Sequence, residues 1–171
     1  CEYLPREDLS LRLTYTSAAR EYDLENESGI SFSETRRRRL LAFTFSCSTA
    51  ENLSLTTRVS ASHIIPSGEK GFLLCQDLSY VFHAVPFRLW FRYALCSSGG
   101  YDSRLYAWEN DLLHSFSVPA MYGECSRSFL MISWKPFEKM ELRAKYAITA
   151  LKSEFVREIK QEVKMQFRIG F

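Results

Sequence analysis

The sequence predicts an all-β fold: an antiparallel up-and-down transmembrane β-barrel of about ten strands, or the C-terminal part of a larger barrel, in a single domain covering residues 1–171. Three observations carry this expectation. Apolar and polar side chains alternate over most of the chain, which is the period of a strand with two unlike faces. The alternating runs are about 7 to 11 residues long, nearer the roughly 9 to 11 of a tilted membrane strand than the 5 or 6 usual in soluble sheets. Aromatics make up 15% of the residues against only 7 Gly and 5 Pro, a balance that favours sheet.

In the first expected strand, Leu9, Leu11, Leu13 and Tyr15 lie opposite Ser10, Arg12 and Thr14. Leu41, Phe43, Phe45 and Cys47 oppose Ala42, Thr44, Ser46 and Ser48. After the short linker Thr49 to Asn52, Leu53, Leu55, Val59 and Ala61 oppose Ser54, Thr56, Arg58, Ser60 and Ser62. Phe72, Leu74, Leu78, Tyr80 and Phe82 oppose Asp77 and Ser79; past a turn at Pro86, Phe87, Leu89, Phe91, Tyr93 and Leu95 oppose Arg88 and Arg92. Leu112 to Val118 and Ser128 to Trp134 continue the series, and Lys135 to Lys139 make a tight turn. Beyond it Met140, Leu142, Ala144, Tyr146 and Ile148 oppose Glu141, Arg143 and Lys145. The terminal strand sets Val163, Met165, Phe167, Ile169 and Phe171 against Lys164, Gln166 and Arg168.

Barrels of this kind alternate short turns on one side with longer loops on the other. With the C-terminus on the short-turn side, that parity requires one more strand between Cys96 and Leu112, and Arg104 to Trp108 supplies it. Lys152 to Glu162 is rich in helix formers, so a short helix or ordered loop is expected between the last two strands. A long amphipathic helix from about Glu141, in an α+β interaction domain, is the rival, and a soluble ligand-binding β-barrel is another.

Charge and motifs exclude several classes. A net charge of +2 from 22 basic and 20 acidic residues is too balanced for a histone-like or acidic-tail protein. No run approaches the roughly 18 apolar residues of a spanning helix. The five cysteines have no C-x-x-C spacing and read as isolated buried or lipid-facing thiols, with neither a disulfide framework nor a metal site. Ser97, Ser98, Gly99 and Gly100 form no nucleophile elbow, and His63, His83 and His114 are far apart in sequence, so no catalytic residues and no cofactor are expected.

The run Tyr101, Asp102, Ser103, Arg104, Leu105, Tyr106, Ala107, Trp108, Glu109, Asn110, Asp111, with Phe116 to Gly123 after it, resembles a segment near the C-terminus of a family of Gram-negative outer-membrane barrels. Gly71 to Leu78 and Arg92 to Leu95 are similar to it as well. The family's longer members carry a signal peptide and a competence-type helix-hairpin-helix region ahead of the barrel. Neither is found in this sequence, and the entry at Cys1 into a strand reads as a fragment lacking upstream signal peptide and strands. DNA is therefore not an expected partner of this segment. The resemblance implies location in the bacterial outer membrane, contact with its lipid, and assembly by the barrel-assembly machinery through Val163, Met165, Phe167, Ile169 and Phe171.

Within such a barrel the inward set is strongly basic: Arg12, Arg58, Arg88, Arg92, Arg143, Lys145, Lys164 and Arg168 against Asp77 and Glu141. Two readings follow. These groups line a narrow anion-selective pore, or they fill a small lumen by pairing with loop acids such as Glu109 and Asp111. Arg36, Arg37, Arg38 and Arg39 fall at the external mouth, where they either contact lipopolysaccharide phosphates or form a solvated strand end.

Overall fold

The computed structural model describes residues 1–25, 31–50, 52–115, 117–152 and 157–170. Alternation produces strands wherever the sequence shows it clearly: β2 (Leu9–Glu25), β3 (Ser31–Ala50), β4 (Leu53–Ile65), β5 (Lys70–Phe82), β6 (Phe87–Ser98), β9 (Glu124–Phe137), β10 (Met140–Lys152) and β11 (Arg157–Ile169). A short β1 (Glu2–Arg6) precedes them. Two-residue strands β7 (Leu105–Tyr106) and β8 (Ala120–Met121) lie between β6 and β9. The chain is all-β, and the described residues include no helix.

Nine strands form one antiparallel sheet in the order β1-β2-β3-β4-β5-β6-β9-β10-β11. Each strand pairs with its neighbour in the chain, as an up-and-down meander does, apart from the passage from β6 to β9. The turns at 7–8, 52, 83–86 and 138–139 fall on one side of the sheet and are all short. The opposite side carries the connection of 99–123.

Register makes the two faces continuous. Leu9, Cys47, Leu55, Leu78, Phe91, Leu130, Tyr146 and Val163 are successive cross-strand partners, so one apolar row runs across eight strands. This face is bare: Phe43, Phe91, Leu130 and Tyr146 are each about two-fifths exposed, and Met165 is 71% exposed. The described residues of 99–123 cross the other face as a strap. Leu105, Ala107 and Met121 of the strap pack with Leu73, Cys75, Ala94, Cys96 and Cys125 of the sheet in one buried cluster.

Several expectations are corrected. The sheet is not closed into a barrel: among the described residues β11 pairs only with β10, and β1, five residues long, covers β2 only as far as Arg12. Period 2 assigns faces to strands but says nothing of whether the outer edges meet. Arg104 to Trp108 and Leu112 to Val118 are not wall strands. Leu105 and Tyr106 pair with Met121 and Ala120 instead, and His114 sits in a turn at φ 62°. Removing two strands leaves the parity unchanged, so the short turns at 83–86 and 138–139 still fall on the same side of the sheet. β10 runs to Lys152, which removes the long C-terminal helix; of the expected helix or loop, 153–156 lie outside the described residues. The cysteines are not all isolated, since Cys75, Cys96 and Cys125 share one cluster.

Candidate functional site: the strap and the basic face it covers

Residues 102–113 cross the sheet from β3 to β11, and at five of those seven strands a base on the sheet holds them. At the β3 end Arg36 donates to Asp102 at 2.6 Å and to Glu34 at 2.7 Å, while Arg38 donates to the Arg104 carbonyl. Ser62 of β4 donates to the Ser103 carbonyl at 2.7 Å. Arg92 of β6, paired with Asp77 of β5, donates to the Trp108 carbonyl at 2.5 Å. Arg127 of β9 grips Glu109 with two bonds, 2.6 and 2.9 Å. Lys145 of β10 reaches Glu109 at 3.2 Å and the Asn110 carbonyl at 2.9 Å. Lys164 of β11 meets Asp111 at 2.9 Å, and Gln166 bonds both the amide and the carbonyl of Leu113.

The centre of this network is dry. Side-chain exposure is 1% for Glu109, 2% for Lys145 and 8% for Arg127. Charges so placed are tolerable only as a satisfied set, since removing one partner of a buried pair costs about 3–5 kcal/mol. Lys145 and Arg92 also lie over the Phe129 ring at 4.7 and 5.6 Å. On the strap, burial works to raise the Asp111 carboxyl, but the Lys164 hydrogen bond, the Leu112 amide and the charges of Lys145 and Lys164 outweigh it and hold the group below its ordinary value.

The eight inward bases expected from the sequence do not act alike. Arg92, Lys145 and Lys164 bind the strap. Arg143 pairs with Glu141 on its own strand at 2.6 Å, and Arg12 with Glu2 of β1 at 2.9 Å, neither touching the strap. Arg88 lies over Trp90 at 5.5 Å; Arg58 is half-buried on the covered face, and Arg168 is exposed. Arg127 was missed, although it is central. Its strand turns Phe129 and Met131 inward with it, so the covered face there looks apolar and the phase is hidden.

The four consecutive arginines are not one cluster, because alternation divides them. Arg36 and Arg38 face the strap, whereas Arg39 lies on the bare face beside Leu41 and Phe72. The register places Arg39, His63 and Lys70 side by side on three strands, and Glu124 opposite Lys152 at 3.2 Å. These charges form a rim where the uncharged band ends. In the terminal strand Val163, Met165, Phe167 and Ile169 are more than half exposed on the bare face, and Phe171 lies outside the described residues. Among the described residues no group of three or more His, Cys, Asp or Glu converges to hold a metal ion.

No family model matches the chain, and no curated protein or solved structure is significantly similar to it.

Proposed function

We propose that this chain is an outer-membrane β-barrel component of a Gram-negative envelope, acting in transport or surface interaction without intrinsic catalysis. Its bare face meets lipid, and its strap fills the other side. One observation carries the reading: a face of Leu, Phe, Tyr and Met continuous over eight strands has no protein upon it, while the strands' charged groups lie on the opposite face or at the rim. Soluble monomers rarely expose apolar patches beyond a few hundred Å². An antiparallel sheet in lipid needs that face outward and a polar or packed interior.

On this reading the two open edges are sealed in lipid, by each other or by further strands, and β11 is the strand offered to the barrel-assembly machinery. Lipopolysaccharide phosphates are met at the rim by Arg37, Arg39 and Lys70, where a groove floored by Leu41 and Phe72 can take an acyl chain. The strap's grip on Arg92, Arg127 and Lys145 favours a filled interior over an open anion pore.

The test is folding from urea into neutral detergent. The expected protein migrates differently on gels before and after boiling and aggregates when detergent is removed. A stable, monodisperse protein in detergent-free buffer would overturn the membrane assignment.

A further inference from the structure

Between the strap and β2–β4 lies a cavity of about 330 Å³ that none of the ion pairs described above fills. Its wall carries four guanidinium groups, Arg20 of β2, Arg36 and Arg38 of β3, and Arg104 of the strap. Asp102 is the carboxylate in that lining, and Glu34 reaches Arg36 from beside it. The rest of the wall is of two kinds: hydroxyls from Thr16 and Ser60, and an apolar floor from Leu40, Ile64 and Leu105.

From this combination we propose that the cavity is a binding site for one small organic anion, a phosphate monoester or carboxylate with a compact apolar group. The volume lies at the small end of the range of roughly 300–1,000 Å³ for ligand sites. Arg104 is already fixed for the task. Its guanidinium stacks 4.0 Å above the Tyr101 ring and 5.6 Å from that of Tyr106, donates to the Tyr106 hydroxyl, and donates to the Tyr101 carbonyl at 2.9 Å. Planar guanidinium groups bind the oxygens of phosphate and carboxylate in pairs, and a group held by stacked rings loses little freedom on binding. The apolar floor gives the ligand's remainder a dry surface, so an inorganic anion uses only half the site.

Occupancy would also bear on the strap. Arg36 is held by Asp102, and Arg38 by the Arg104 carbonyl. An anion among these groups joins strap to wall at the end where the described contacts are least buried.

The site is tested by isothermal titration of the full chain folded in neutral detergent, with phenyl phosphate, phenylacetate, inorganic phosphate and benzyl alcohol as probes. Phenyl phosphate or phenylacetate is expected to bind one-to-one, at least tenfold tighter than inorganic phosphate, with no saturable binding of benzyl alcohol; the stronger of the two names the headgroup. Arg20→Glu, on an exposed stretch of edge strand, and Arg104→Gln should each weaken binding at least tenfold. Each variant is checked for its heat-dependent gel shift, and if Arg104→Gln loses it, Arg20→Glu alone decides. Absence of binding by both organic anions, equal binding of benzyl alcohol, or undiminished binding in a folded variant would overturn the proposal. The outcomes separate from the membrane reading: a protein stable without detergent that still binds phenyl phosphate keeps the cavity and loses the membrane.

Discussion

At Gly71 the absence of a side chain decides whether the strap can lie on the sheet. A methyl group there would meet the Ser103 carbonyl oxygen at 2.2 Å and the Ser62 hydroxyl at 2.6 Å, the same two groups that hydrogen-bond to one another at 2.7 Å. The serine can rotate, but the carbonyl belongs to the strap backbone, which must lift. Gly71→Ala is therefore expected to cost about 1–3 kcal/mol, the usual range for overpacking, and to open 99–123 to protease while the sheet stays folded. Limited proteolysis alongside urea unfolding checks both; a variant as resistant as the parent would show that the strap is not seated at this point. None of this could be read from the sequence, where Gly71 sits in a strand with no sign of what crosses it. Arg127 was hidden for a related reason. Its partner Glu109 is eighteen residues away, and side chains in phase with it are apolar.

The elements were legible in proportion to how unlike their two faces are. β2 to β6 and β9 to β11 each set an apolar row on the bare face against residues of different character on the other, so period 2 found them, though β2 and β3 run well beyond the residues that alternate cleanly. β1 was missed because all five of its residues are exposed and no face is marked. The strap was taken for wall strands because loop parity called for one between Cys96 and Leu112. Its true alternation separates Leu105, Ala107 and Glu109, all buried, from exposed Tyr106 and Trp108. A pH response belongs to this element. Since Asp111 titrates below its ordinary value of 3.8 when the strap is seated, its contribution is complete above that pH. The contribution is lost as pH falls through the lowered value and the carboxyl takes up a proton. Acid is accordingly expected to release the Asp111 end of the strap, followed by the fluorescence of Trp108. Asp111→Asn should shift the strap's stability at neutral pH and flatten its acid dependence below 3.8. A transition unchanged in Asp111→Asn would assign the acid response to other carboxylates.

For the molecule as a whole, the question is which solvent touches the bare face, and bilayer and water give opposite answers to the same substitution. From Met140 to Ala150 the outward residues of β10 are uncharged; eleven residues at about 3.3 Å each, tilted by about 45°, rise roughly 25 Å, the height of the apolar band on outer-membrane barrels. Leu130 lies within this band between Phe91 and Tyr146, and Arg39 lies on the rim. In a membrane Leu130→Arg should cost about 2–4 kcal/mol, whereas Arg39→Ala should cost at most about 1 kcal/mol. In water Leu130→Arg would replace an exposed leucine by a charge, a change usually within about 0.5 kcal/mol, and would improve solubility. Equilibrium refolding from urea into phospholipid vesicles measures both variants against the parent. A large loss at Leu130 with a small one at Arg39 places hydrocarbon over the band and water or headgroups at the rim. Equal, small losses would mean that lipid does not cover this face, and the greasy row across eight strands would then require a protein partner.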